Sequence, residues 1–442
     1  MPFRKRIRNR HLKELVSGSM VSFVLKMSGM FLGYLVIMIV SKEYGAEGTG
    51  LYNLTYNLMT FFAAVAAMGM NVSILRYVGQ YNQPGEEGKL KLLYRYALEL
   101  ALPAAMVVAM ALYAFSGVLA ENLFENPLYG PALTFVACIL PLVTLQNIGI
   151  EYIRGLKKLK VSEWLRSVLR PLVIIVCLLS VGYTVSDPLM PIYALGAAVA
   201  VGVVWAALYI RSRVRGLEAA PEAAFGKREF MATSLPMMLM PVSLFIRTSF
   251  PLFVLEIYGS TAEVGVLSVV WKIALLISLV LSVVNTIVAP KFSELYWSQQ
   301  YQPLREVLHY SAKMIFLVSL GVSVLLVLFS RQVLEFFGAD FISGEAALYL
   351  LVGGQLISAM AGSVGIFFNM VGYQGVWKNI LIVSILANVA LSLALIPLFG
   401  MMGAAFAIMA TTVMQNLAGA LYLRIKLGYR TYYVPFGRAN GL

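Results

Sequence analysis

Apolar runs of about twenty residues recur along the chain from Leu15 to Leu423, separated by short polar segments. A helix rising 1.5 Å per residue needs roughly 20 such residues to cross ~30 Å of hydrocarbon. The runs are apolar on nearly every side, as in Pro171–Val185 and Val318–Phe329. A membrane barrel strand would instead alternate apolar and polar positions over about ten residues. The pattern predicts helices over residues 15–40, 51–77, 92–116, 129–152, 163–185, 189–210, 231–256, 264–289, 308–330, 345–370, 377–397 and 402–424. The first run follows a basic stretch, Arg4 to Arg10, but is longer than the 7–15 residues of a cleavable signal core, and no A-x-A site follows it. It reads as a retained helix. The expected fold class is an all-α membrane protein.

Charge fixes the expected orientation. Of 34 Lys and Arg residues, 29 fall on the side of the N-terminus, only Lys42 and Arg331 fall in outer loops, and Lys26, Arg247 and Lys272 lie within spans. The positive-inside rule then places both termini in the cytoplasm and supports an even number of helices. This distribution accounts for a net charge of +13 without any nucleic acid partner. Only 12% of the 442 residues are charged and 60% are hydrophobic. Outer loops of about 5–14 residues are too short to fold into a catalytic domain. No catalytic residues, metal ligands or cofactors are expected. Cys138 and Cys177 sit in apolar runs as packing residues, and His11 and His309 lie far apart near helix ends. Gly85-Glu86-Glu87-Gly88-Lys89 lacks the spacing of a phosphate-binding loop.

The chain repeats itself. Tyr44-Gly45 followed by Gly50-Leu51-Tyr52 recurs as Tyr258-Gly259 followed by Gly265-Val266-Leu267, and Arg95-Tyr96 recurs as His309-Tyr310. Residues 114–124 match 328–338 at the same offset of 214. Six helices per copy is an even number, so both copies enter from one side and the repeat is parallel. Residues 1–213 form the expected N-terminal six-helix lobe, 214–229 a cytoplasmic linker, and 230–442 the C-terminal lobe. Two similar lobes facing a cleft favour alternating-access transport.

Several stretches carry a family resemblance: Leu15 to Ser19, Tyr44 to Tyr52, Gly69 to Tyr77, Ser234-Leu235-Pro236, Pro290 to Ser293, Phe336-Phe337-Gly338 and Leu395 to Ala405. They resemble the polysaccharide (Wzx-type) flippases of the multidrug/oligosaccharidyl-lipid/polysaccharide exporter superfamily, over nearly the whole chain. The resemblance implies about twelve transmembrane helices in a V-shaped pair of bundles. It implies translocation of an isoprenoid-diphosphate-linked oligosaccharide across the bacterial inner membrane, for O-antigen (lipopolysaccharide), capsule or exopolysaccharide. The implied partners are that lipid-linked substrate, the phospholipid bilayer and polysaccharide assembly proteins. It also implies that helices 1, 2, 7 and 8 line the cleft.

A charge at the bilayer centre costs ~2.5–3.5 kcal/mol on insertion scales. Lys26 stands roughly 16 Å into helix 1, Arg247 in the middle-to-outer part of helix 7, and Lys272 about eight residues from the outer end of helix 8. Without acids in the same helix centres, they call for a watery cavity or an anionic ligand. With the resemblance, Lys26, Arg247 and Lys272 are the expected diphosphate ligands, and Arg76 catches the substrate on entry. Snorkelling, or pairing with an acid such as Glu99, is the plainer use of the lysines. Asn57, Asn71 and Asn285 are candidates for sugar hydroxyls, with interhelical hydrogen bonding the commoner use. Gly29 and Gly33 form a small-residue face suited to close packing, and Pro236, Pro241 and Pro251 can kink helix 7. The alternatives are a cation-coupled multidrug exporter, which would want acids in the cleft, and a membrane-bound glycan-transfer enzyme, which would want a larger loop.

Overall fold

A computed structural model describes residues 2–82, 86–180, 187–214 and 226–433. Side chains are described from Val21 onward, apart from positions 22, 23, 87, 214, 239, 240 and 244. Most of the expected linker 214–229 lies outside the described residues, as do the outer end of the fifth expected helix and the tail beyond 433.

Among the described residues every regular element is helical. The chain runs through α1 (Pro2–Ala66), α2 (Met70–Tyr81), α3 (Glu87–Val118), α4 (Tyr129–Gly155) and α5 (Leu159–Glu163). A π turn (Trp164–Leu169), α6 (Arg170–Ser180), α7 (Met190–Val214), α8 (Lys227–Met237) and α9 (Leu239–Tyr258) follow. Then come α10 (Thr261–Trp297), α11 (Tyr301–Leu328), α12 (Ser330–Glu335), α13 (Glu345–Ala361), α14 (Val364–Met370) and α15 (Gln374–Leu427). Among the described residues eight helical segments are long and apolar enough to cross a membrane, and α8 with α9 makes a ninth, broken span.

The two longest of these contain a corner. α1 turns at Gly45 (φ +66°) and α15 at Gly400 (φ +51°), both in the left-handed region that favours glycine. At Gly400 the chain reverses: a Cβ on Gly403 would lie 2.4 Å from the carbonyl of Leu395, eight residues earlier. In a straight helix these positions would be about 12 Å apart. Each limb of α1 about Gly45, from Val24 to Ala66, is then ~31 Å long, enough for one crossing. The segment α5–π turn–α6 occupies the place of the expected fifth helix.

The repeat is visible in the element starts. α11 begins at Tyr301, 214 residues after α3 begins at Glu87. α13 begins at Glu345, 216 after Tyr129, and α15 at Gln374, 215 after Leu159. The breaks do not repeat. In the first copy the fifth span is interrupted by the π turn and the fourth is whole. In the second copy the fourth is interrupted at Gly362, between α13 and α14, and the fifth is whole.

The chain divides into two compact units, Met1–Tyr44 with Leu51–Phe245, and Gly45–Gly50 with Ile246–Leu442. In the first, Met70, Ile74, Leu93, Tyr152, Leu165 and Phe230 are fully buried together. In the second, Phe292, Leu304, Ile315, Phe367 and Leu423 are. Lipid tails are as apolar as leucine, so close packing supplies the adhesion in the membrane. Gly29 permits this within the first unit, since a Cβ there would meet the Ser167 carbonyl at 2.4 Å. Gly33, its expected companion, faces open space. Gly69 (φ +77°) does the same against α8: a Cβ would stand 2.0 Å from the Ser234 carbonyl, and the hydroxyls of Ser73 and Ser234 share a 2.5 Å hydrogen bond. In the second unit Gly50 and Gly265 meet backbone to backbone. A Cβ on Gly50 would lie 1.9 Å from the Thr261 carbonyl, and one on Gly265 would lie 1.9 Å from the Ala46 carbonyl. Outward faces are apolar, as membrane surfaces must be: Met106, Met110, Leu325 and Leu386 are all more than half exposed. Cys138, expected as a packing residue, is exposed on α4.

Candidate functional site

The first unit carries a ladder of charges on its broken fifth span. The Lys26 ammonium on α1 is 3.9 Å from the carboxylate of Glu163, whose side chain is only 4% exposed at the end of α5. Arg166 in the π turn pairs with Glu151 on α4, which also holds Arg154 at 3.5 Å. One turn on, Arg170 donates to Gln146 Oε1 at 2.8 Å and to the Tyr56 hydroxyl at 3.3 Å. Gly202 on α7 makes room for that amide, since a Cβ there would overlap Gln146 Nε2 at 1.8 Å. A π turn widens the helix by one residue per turn and often marks functional positions. Each basic group on this ladder faces an acceptor.

The second unit holds a cavity of about 550 Å³ between α9, α10, α13, α14 and α15. Arg247 lines it and is exposed, so it stands at the rim. Its walls bear Asn285, Gln355, Ser358, Ser363, Gln415 and Asn416, with Trp271 and Trp377. No Asp or Glu is among the lining residues. Asn416 donates to Ser358 at 3.0 Å. Asn285 Oδ1 and Ser363 Oγ are buried without a hydrogen-bond partner among the described residues. Ser363 sits in the break after α13, where Gly362 adopts φ +75° and packs so tightly that a Cβ would be 2.2 Å from the Thr431 carbonyl. Non-helical backbone at membrane depth is tolerated where it is buried in protein or lines a cavity.

The expected ligand residues thus fall into separate settings. Lys26 and Arg76 belong to the first unit, Arg247 and Lys272 to the second. Lys26 has a carboxylate beside it, against the expectation drawn from acids in its own neighbourhood of sequence, because Glu163 arrives from a different helix. Arg76 is exposed on α2. Lys272 is half-buried on α10 and does not line the cavity that its neighbour Trp271 lines. Glu99 is paired with Lys227 and with Arg95, 3.4 Å away, and is 40% exposed. Sequence reading missed Arg170, Gln146 and Glu163. Their signal was polar side chains inside an apolar run, which the charge count absorbed as topology. Asn285, a candidate from sequence, does line the cavity.

Neutral donors and acceptors around one guanidinium suit an anionic, hydroxyl-bearing molecule, because Arg grips phosphate oxygens bidentately. The fold is shared with solved membrane proteins. It superimposes on a lipid II flippase MurJ in its inward closed conformation with a TM-score of 0.73 at 15% identity, covering 92% of this chain and 87% of that one. It superimposes on an inward-facing multidrug resistance MATE family transporter of the MOP superfamily with a TM-score of 0.72 at 17% identity, covering 92% and 98%. At such identities the likeness speaks for fold alone: an all-helical, multi-pass membrane protein. In sequence the chain is 20% identical over 430 residues to the probable low-salt glycan biosynthesis flippase Agl15 of Haloferax volcanii, covering 96% of this chain and 86% of that protein. The polysaccharide biosynthesis protein family matches residues 15–296, more than half of the chain, and the protein belongs to that family.

Proposed function

We propose that the protein is a flippase that carries an isoprenoid-diphosphate-linked oligosaccharide across the bacterial inner membrane by alternating access, for O-antigen, capsule or exopolysaccharide synthesis. Both termini are cytoplasmic in this reading, and the two six-helix repeats (1–213 and 230–442, joined by 214–229) are its working halves. One observation carries it: Arg247 rims a polar cavity in an otherwise apolar helical unit, with no carboxylate among the residues that line it. The family and the flippase named among its relatives support the same substrate class.

Arg247 is the principal diphosphate ligand. Lys272 adds positive field from the next helix, and Arg76 serves entry. Lys26 takes part by exchanging Glu163 for a phosphate oxygen. An inside-negative potential favours outward movement of an anion by about 2.3 kcal/mol per charge per 100 mV. The test is glycan export in a host that depends on surface polysaccharide. Arg247→Ala with Lys272→Ala abolishes export while the protein still reaches the membrane. Full export by the double variant removes this assignment. Drug efflux without glycan export favours a cation-coupled exporter instead, although a cation site wants carboxylates and this cavity has none among its lining residues.

A further inference from the structure

We propose that the cavity of the second unit is a saccharide seat, holding the sugar next to the diphosphate that Arg247 grips. The proposal rests on the flippase reading and names which part of the substrate enters this site. A metal cation would want carboxylate oxygens, and an apolar drug would want apolar walls with few polar groups. The walls here mix aliphatic side chains with a cluster of amides and hydroxyls, which both donate and accept, as sugar hydroxyls do. The indoles of Trp271 and Trp377 add apolar surface for the C–H face of a ring. Trp377 is held in place by stacking on Phe368 (5.6 Å, 19°) and by contact with Gly365.

The cavity is built to leave hydrogen bonds unmade. Asn285 Oδ1 and Ser363 Oγ are buried and lack partners among the described residues. In a membrane interior, where no water can step in, an unmade hydrogen bond is costly for each such group. The Asn416 amide donates to Ser358 and to the Thr412 carbonyl, which spends both its donors on the wall itself and keeps that side chain fixed. The volume, about 550 Å³, lies within the ~300–1,000 Å³ of small-ligand sites. Exposed Arg247 marks the mouth, so a ring bonded to the diphosphate reaches Asn285 and Ser363 from there.

Two probes separate the parts of the site, both applied to the full chain in detergent. Methyl glycosides of common hexoses and N-acetylhexosamines are tested by saturation-transfer NMR, and inorganic pyrophosphate by calorimetry. At least one glycoside binds saturably. Asn285→Ala weakens it about tenfold, equivalent to ~1.4 kcal/mol, and Ser363→Ala, which deletes only a hydroxyl, weakens it about threefold. Neither changes pyrophosphate binding, which Arg247→Ala reduces. Absence of saturable glycoside binding, or equal affinity in both alanine variants and the parent, overturns the proposal. If glycosides do not bind but export still needs Arg247, the seat falls and the flippase stands. If glycosides bind yet no strain exports glycan through the protein, the flippase reading falls and the seat stands.

Discussion

The two compact units solve the problem of polar groups in a membrane in opposite ways. The first brings four cations to its broken span and meets each with a carboxylate, amide or phenol: Lys26 with Glu163, Arg166 and Arg154 with Glu151, Arg170 with Gln146 and Tyr56. The second places one guanidinium beside neutral groups, two of which have no partner among the described residues. Both arrangements sit where a helix is interrupted, but in non-equivalent spans: the fifth of one repeat and the fourth of the other. The element starts keep a near-constant offset, and the breaks do not. The first arrangement ties its cations to groups on neighbouring helices, whereas the second lines an open cavity with neutral donors and acceptors.

The comparison can be broken in several places. The largest effect is expected at Arg247. It is exposed, so Arg247→Ala preserves the fold and removes a charge-assisted contact of ~1.5–3 kcal/mol, lowering glycan export about 10- to 100-fold in a complementation assay. Next comes Gly362→Ala. A left-handed φ alone costs ~1–3 kcal/mol, and the Thr431 carbonyl blocks the added methyl, so thermal unfolding in detergent shifts down by several degrees. An unchanged midpoint would mean the break is not fixed by backbone packing.

In the first unit, Gly202→Ala pushes Gln146 away from Arg170 and costs ~1–3 kcal/mol of stability. Gln146→Ala in the same background relieves that overlap, and lack of recovery counts against the ladder. The smallest effect concerns Lys26. Its side chain is 58% exposed, so the pair with Glu163 contributes less than ~1 kcal/mol, measured by a double-mutant cycle of Lys26→Ala and Glu163→Gln. A coupling well above that would make Lys26 a structural lysine and leave Arg247 to hold the diphosphate.

Much of this architecture was legible in the chain. Apolar runs located the spans, and the Gly45 and Gly400 corners fell in the predicted gaps between helices 1 and 2 and between helices 11 and 12. The interruptions inside spans were not legible. The π turn at Trp164–Leu169 and the break at Gly362 leave the apolar pattern intact, because a break inside a membrane protein is set by packing and not by polarity. The site divides the same way. Arg247 stood out as a lone charge in an apolar run, while the pairing of Lys26 depended on which helix would lie beside it. Lys272 carried the same sequence signal as Arg247, yet only Arg247 lines the cavity.

The corner contact in the second unit has one more consequence. Ala46 and Gly50 fit Thr261 and Gly265 reciprocally: a Cβ added to either glycine would stand the same 1.9 Å from the other helix's carbonyl. Such reciprocity is what an isologous homodimer interface requires, with each surface complementary to itself. A side chain at either glycine would therefore force apart the same pair of backbones, and one methyl group on one side is enough to unseat both.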